Sequence, residues 1–319
     1  MAHGKRRGAL AAVGLLAGYV LGCRVSPRFA RAALDGLSLP VMRALHRLTS
    51  RVPFPVVEPL ALALAAIHLS MLLNGVIRAA ALRTPEPMRR PLARLARTAL
   101  ALAGALALLW TPARAIPCEQ VPPVPTTDQL EWLCGELIDA LNRSDLRALS
   151  PEAALASAPE VAGMPDCAVK AARWPEWMRA AGISGLFVPL TGEALIDAGA
   201  PGPLIPFTAV HELTHLSGVA DEGAANIAAW EKCLSAGGAF ADSARLWALR
   251  YATGLLRRAD EAARHRVGAK MEGALARAFR MCGGEATPSA AHSPGFHMLS
   301  LNCGDYAALA GYLAQFGEG

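Results

Sequence analysis

Three uncharged, predominantly apolar stretches divide the first third of the chain, at residues 8–23, 60–77 and 98–113. A run with no charged position predicts a helix facing lipid rather than one with a single buried stripe. The first is sixteen residues long, shorter than the roughly twenty a perpendicular span needs, so Arg7 and Arg24 at its ends must snorkel. Between the stretches the pattern changes. Residues 25–51 set Phe29, Leu34, Leu37, Leu45 and Leu48 against Arg28, Arg31, Arg43, Arg47 and Arg51, which predicts one or two amphipathic helices, lying on a membrane surface or solvated between domains. Residues 78–97 are rich in arginine, and Pro85, Pro87 and Pro91 predict that no single helix runs through them.

Beyond a Pro- and Thr-rich linker at 117–127, the apolar positions acquire helical periodicity. Leu130, Leu133, Leu137, Ile138 and Leu141 form one stripe of a helix expected over Asp128–Ala148. Gly182–Ile196 reads as extended chain, with Pro189 marking Leu186–Leu190 as an edge strand to which a peptide can add. A helix capped by Thr208 and ended by Gly218 follows, then a second over Glu222–Cys233 capped by Asp221. Residues 239–282 are helical in pattern, with Leu246, Leu249, Leu255 and Leu256 inside, and Gly304–Phe316 forms a last short helix. Trp230, Trp247 and Tyr251 are expected to pack against the Thr208 helix.

Composition agrees with a membrane protein. Of 319 residues 53% are hydrophobic, and mean hydropathy is +0.31, high for a soluble chain. The net charge of +5 comes from arginine crowded into the first hundred residues, without the aromatic-basic interleaving of a nucleic-acid binder. Lys5–Arg7 and the 78–97 loop on the cytoplasmic side would place residues 114–319 outside, although the arginines of 25–51 then lie on the opposite face. Val20–Cys23 loosely resembles a lipoprotein cleavage site, but a retained helix suits the two later spans better. Six of the seven cysteines, Cys118, Cys134, Cys167, Cys233, Cys282 and Cys303, follow the spans; an even number there predicts disulfides in an oxidising compartment, the alternative being six buried free thiols in a cytosolic domain. The expected location is therefore a multi-pass chain in the plasma membrane with its C-terminal domain extracytoplasmic. His68, in the second span, is expected to be neutral and bonded to a neighbouring helix.

The chemistry concentrates in HELTHLSGVADEGAANIAAWEKC, which begins at His211. In H-E-x-x-H the two imidazoles of His211 and His215 stand on one helical face and can grip one metal ion, with Glu212 placed as general base. Catalytic zinc takes three protein ligands and keeps an open position. Two layouts supply the third. Gly218 and Asp221 copy the metzincin spacing, with Asp221 in place of a histidine. Glu222 at the head of the next helix, with Asn226 one turn on to orient it, is the favoured ligand, leaving Asp221 as cap.

Gly185–Ala194, Pro206–Thr208 and the H-E-x-x-H stretch through Glu222, Ala225 and Asn226 resemble an uncharacterised family of bacterial multi-span membrane proteins with a zincin-like domain. Val52–Phe54 and Gly304–Tyr306 resemble it more weakly. The chain departs from that family's pattern at Ala224, where a second acidic residue is usual, and at Ile227, usually aromatic. The resemblance implies a mainly α fold: three transmembrane helices within residues 1–116, then an α-rich (α+β) zincin-like domain at 128–319. It also touches Tyr306, the candidate donor to a developing oxyanion. Together these features lead to the expectation of a zinc metalloendopeptidase. Its metal ligands would be His211, His215 and Glu222, its catalytic groups Glu212 and Tyr306, and its partners a peptide or protein substrate and the bilayer. The competing expectation is a sensor or scaffold in which zinc merely stabilises the domain.

Overall fold

The computed structural model describes residues 2–117, 124–144, 146, 149–281 and 305–315, with the side chains of 2–10 and 305–308 outside that description. The chain divides into two compact units, Met1–Pro117 with Val188–Glu193, and Cys118–Phe187 with Ala194–Gly319.

The first unit is helical. Its elements are α1 (Ala2–Val25), α2 (Pro27–Ala33), a π-helical turn at Leu34–Ser38, α3 (Leu39–Thr49), α4 (Val57–Leu82) and α5 (Arg89–Ala115). By length and composition, α4 and the run Glu86–Ala115 are sufficient to cross a membrane; α1 contributes a shorter apolar helix, Ala11–Val25. At 26 residues, α4 is about 39 Å long against a hydrocarbon core of about 30 Å. The prolines of the connecting segment act more locally than the sequence suggests. Pro91 sits in the first turn of α5, where no amide donor is needed, so Arg89, Arg90, Arg94 and Arg97 are helical.

Polar groups on the long helices of this unit find individual partners. Pro112 lies inside α5 and cannot donate to the carbonyl of Leu108. That oxygen instead accepts from the Tyr19 hydroxyl at 2.9 Å and from Ser38 Oγ at 3.1 Å. His68 Nδ1 pairs with the Leu64 carbonyl at 2.8 Å and Nε2 with Thr98 Oγ1 at 3.1 Å. Both ring nitrogens are thus paired, and the contact with Thr98 is the expected bond to a neighbouring helix. Gly75 leaves room for the turn before α5: a Cβ there would stand 2.8 Å from Met88 Sδ and 3.0 Å from Pro91 Cγ.

The second unit packs helices around a small sheet. It contains α6 (Thr127–Asn142), α7 (Pro151–Val161), β1 (Val169–Ala171), α8 (Glu176–Ala180), β2 (Gly185–Val188), β3 (Glu193–Ile196), α9 (Ile205–Leu216), α10 (Glu222–Ala236), α11 (Gly238–Ala259), α12 (Glu261–Gly268), α13 (Gly273–Met281) and α14 (Asp305–Ala314). Strand order is β1-β3-β2, with β1 and β3 parallel, so β2 is an edge, as its sequence predicts. The helix expected over Asp128–Ala148 ends at Asn142. Thr126 caps it in a full capping box with Gln129.

The core surrounds α9. Phe207, Ala209, Val210, Leu213 and Leu216 are almost fully buried, against α7, α10 and α11. Trp247 on α11 stacks near Phe207 and donates from Nε1 to the Leu204 carbonyl at 3.0 Å. Cys134 and Cys233 are buried thiols, pushed up to about 12 by burial, and no disulfide joins them. The disulfide expectation is thus corrected at these two positions, because each sits on a packed helix face. Cys118, Cys282 and Cys303 lie outside the described residues.

Candidate metal centre

α9 begins earlier than its sequence suggests. Pro206 occupies the first turn, and Thr208, expected as the cap, lies within the helix and donates its hydroxyl to the Leu204 carbonyl at 2.9 Å. The open amide of Phe207 is met by Ser243 Oγ on α11 at 3.0 Å. His211, Glu212 and His215 therefore sit on a helix held at its start by a neighbour rather than by its own side chain. Past His215 the helix closes at Ser217, and Gly218 follows with φ +102°, a conformation favouring glycine.

The turn after Gly218 returns the chain at once into α10. Asp221 caps that helix, its Oδ1 accepting from the Ala224 amide at 2.8 Å. This places Glu222 in the first helical position, facing the two histidines. His211 Nε2 lies 3.0 Å from His215 Nε2 and 3.2 Å from Glu222 Oε2, and His215 Nε2 lies 3.5 Å from the same oxygen. Zinc bonds of about 2.0–2.1 Å at tetrahedral angles separate ligand atoms by about 3.3–3.4 Å. The triangle matches one face of such a tetrahedron, and Asp221, occupied as a cap, stands outside it.

The donor atoms are also presented correctly. His215 Nδ1 is 2.7 Å from the Val219 carbonyl, so in the neutral ring Nδ1 carries the proton and Nε2 is the atom left to bind a cation. His211 Nδ1 is buried without a hydrogen bond, which leaves that ring's polar contacts at Nε2. Two imidazole nitrogens 3.0 Å apart repel unless a proton or a metal stands between them and the carboxylate. Burial alone would push His215 down, but hydrogen bonding and charge from Glu222 outweigh it and hold His215 up at about 9. Burial works in the opposite sense on Glu222, and the two histidines overcome it, holding that carboxyl well below the usual range.

Glu212 is 5% exposed. Burial raises its pKa against the opposing pull of His211 and His215, while the Phe187 amide donates to its carboxylate. Gly185 on β2 makes the space for it. A Cβ at that position would overlap Glu212 Oε1 and stand 2.8 Å from Glu212 Cγ and from Thr208 Cγ2. Sequence reasoning missed Gly185, and no local signal announces it, since its partners lie more than twenty residues away.

Asn226 does not play the part expected of it. It is buried on α10 one turn after Glu222, and its Nδ2 makes no hydrogen bond, so that amide does not orient the carboxylate. The Tyr306 side chain lies outside the described residues, as do His292 and His297, whose sequence positions beside the Gly283–Gly295 stretch fit either an approach to the metal or ordinary polar loop residues. Tyr251 packs on Trp247 with ring centroids 5.4 Å apart, and that stack continues to Phe207. The aromatic residues therefore support α9 from behind.

No curated protein and no solved structure matches this sequence. Residues 35–280, most of the chain and all of the histidine-glutamate cluster, match the family described as protein of unknown function, DUF3810, to which the chain belongs.

Proposed function

We propose that the chain is a membrane-anchored zinc peptidase, with His211, His215 and Glu222 as metal ligands and Glu212 as general base. The observation that carries this reading is the triangle of Nε2, Nε2 and Oε2 atoms at 3.0, 3.2 and 3.5 Å, sized for a tetrahedral cation with one corner open. Zinc at that position would acidify a water and polarise a scissile carbonyl. Glu212, made more basic than an ordinary carboxylate by burial, would take the proton of that water and return it to a leaving amine. The edge position of β2 supports an extended peptide as substrate, aligned by backbone hydrogen bonds.

Anchoring would use the apolar stretches at 8–23, 60–77 and 98–113, with the second unit outside the plasma membrane; Lys5–Arg7 and the arginines of 78–97 support this topology, and those of 25–51 oppose it. Tyr306 remains the proposed oxyanion donor. A second reading, a non-catalytic sensor or scaffold stabilised by zinc, is favoured by the deep burial of Glu212. One substitution separates them. Glu212→Gln in the detergent-purified full chain should retain zinc while losing cleavage of a mixed peptide library, by about a hundredfold or more. A zinc-loaded wild type that cleaves no peptide would transfer the assignment to the scaffold.

A further inference from the structure

The turn joining β2 to β3, Val188–Glu193, belongs to the first unit, and it is held there at three successive residues. Glu193 is 1% exposed. Its Oε1 accepts from the Val56 amide at 2.7 Å and its Oε2 from the Val57 amide at 2.8 Å, the open donors at the start of α4, which has no capping side chain of its own. A carboxylate placed there also meets the positive end of the helix dipole. The Gly192 carbonyl accepts from His46 Nδ1 at 2.7 Å, and the Thr191 carbonyl accepts from Thr49 Oγ1 at 3.3 Å. Gly192 has φ +68°, and a Cβ on it would stand 2.5 Å from the Met42 carbonyl oxygen and 2.6 Å from the His46 nitrogen. This is backbone against backbone, and neither side can yield cheaply.

The residue immediately before this clasped segment is Phe187, whose amide donates to the Glu212 carboxylate. Two residues further back is Gly185, against which Glu212 rests. The Thr191 and Gly192 amides donate to the Val188 carbonyl at 3.1 and 2.8 Å, so the clasp holds the last residue of β2, only three residues, or about 10 Å of strand, from Gly185. From this continuity we infer that Glu193 is a positioning residue for Glu212: by binding the N-terminus of α4 it sets the register of β2, and β2 sets the general base. The inference rests on reading Glu212 as that base. It makes the competence of the site depend on a membrane-helix terminus more than a hundred residues away in sequence.

Hydrogen exchange on the full chain in detergent tests this, comparing wild type with Glu193→Gln and with the milder Thr49→Val, alongside zinc content. Glu193→Gln should speed exchange of the 185–190 amides by about tenfold or more, the range expected for loss of a charge-assisted hydrogen-bond pair. Exchange across 205–236 and the zinc content should stay at wild-type levels, and Thr49→Val should show the same pattern more weakly. Where the wild type cleaves peptide, Glu193→Gln should lower kcat with KM unchanged. Unchanged exchange at 185–190, or acceleration spread equally over 205–236 with loss of zinc, would overturn the inference, the latter marking a merely structural role. A wild type inactive on peptides would remove the peptidase reading while the exchange pattern still decides whether Glu193 positions Glu212.

Discussion

Loading zinc onto the metal-free protein should displace a proton from His215. That ring is held at about 9 in the metal-free cluster, where burial is outweighed by Glu222. At pH 7.5 it is about 1.5 units below its pKa and therefore about 97% protonated. A metal ligand must be the neutral imidazole. Each zinc bound at pH 7.5 should accordingly release about one proton from this ring, and apparent affinity should rise about tenfold per pH unit toward about 9. The sign for folding is opposite. A pKa raised above its unfolded value of 6.5 stabilises the metal-free fold fully below about pH 6.5, and this stabilisation is lost as pH rises through about 9. Titration calorimetry with zinc in two buffers of different ionisation enthalpy reads the proton count directly. Binding heats independent of buffer, or an affinity flat between pH 6.5 and 8.5, would refute the reasoning that Glu222 and His215 share a proton in the place of a cation.

Two further predictions isolate neighbours of the site. Gly185→Ala places a methyl 2.8 Å from Glu212 Cγ and Thr208 Cγ2, about 1 Å inside normal contact. It should cost about 1–3 kcal/mol of stability and lower cleavage by roughly a hundredfold with zinc content unchanged, measured by thermal melting, peptide hydrolysis and metal analysis. Asp221→Ala removes a cap, Oδ1 to the Ala224 amide, and should cost about 1 kcal/mol in denaturant titration while leaving zinc in place; a variant stripped of zinc would return Asp221 to the ligand set.

Much of the His211–His215–Glu222 cluster was legible because its geometry is local. Residues four apart on a helix must share a face, and an aspartate before a helical run is a natural cap, so His211, His215 and Glu222 could be named together and Asp221 set apart from them. The helix start was misjudged because Thr208 has two uses for its hydroxyl. With Pro206 already opening α9, it bonds back to Leu204 inside the helix. What the sequence concealed was long-range. Gly185 reads as an ordinary strand glycine until Glu212 is packed on it. Glu193 receives its partners from Val56 and Val57, more than a hundred residues earlier, and no local pattern marks that pairing. The disulfide expectation treated cysteines as a count, whereas Cys134 and Cys233 serve as small apolar core residues. The three-residue β1 was too short to leave an alternating pattern.

The most direct test of the central claim is the zinc content of the purified full chain after dialysis against the metal, beside His211→Ala and Glu222→Ala. A cluster with ligand atoms at 3.0, 3.2 and 3.5 Å predicts about one tightly held zinc per chain in the wild type, lost in both variants. A wild type that takes up no zinc, or a His211→Ala protein that keeps it, would contradict the metal centre and with it the peptidase reading.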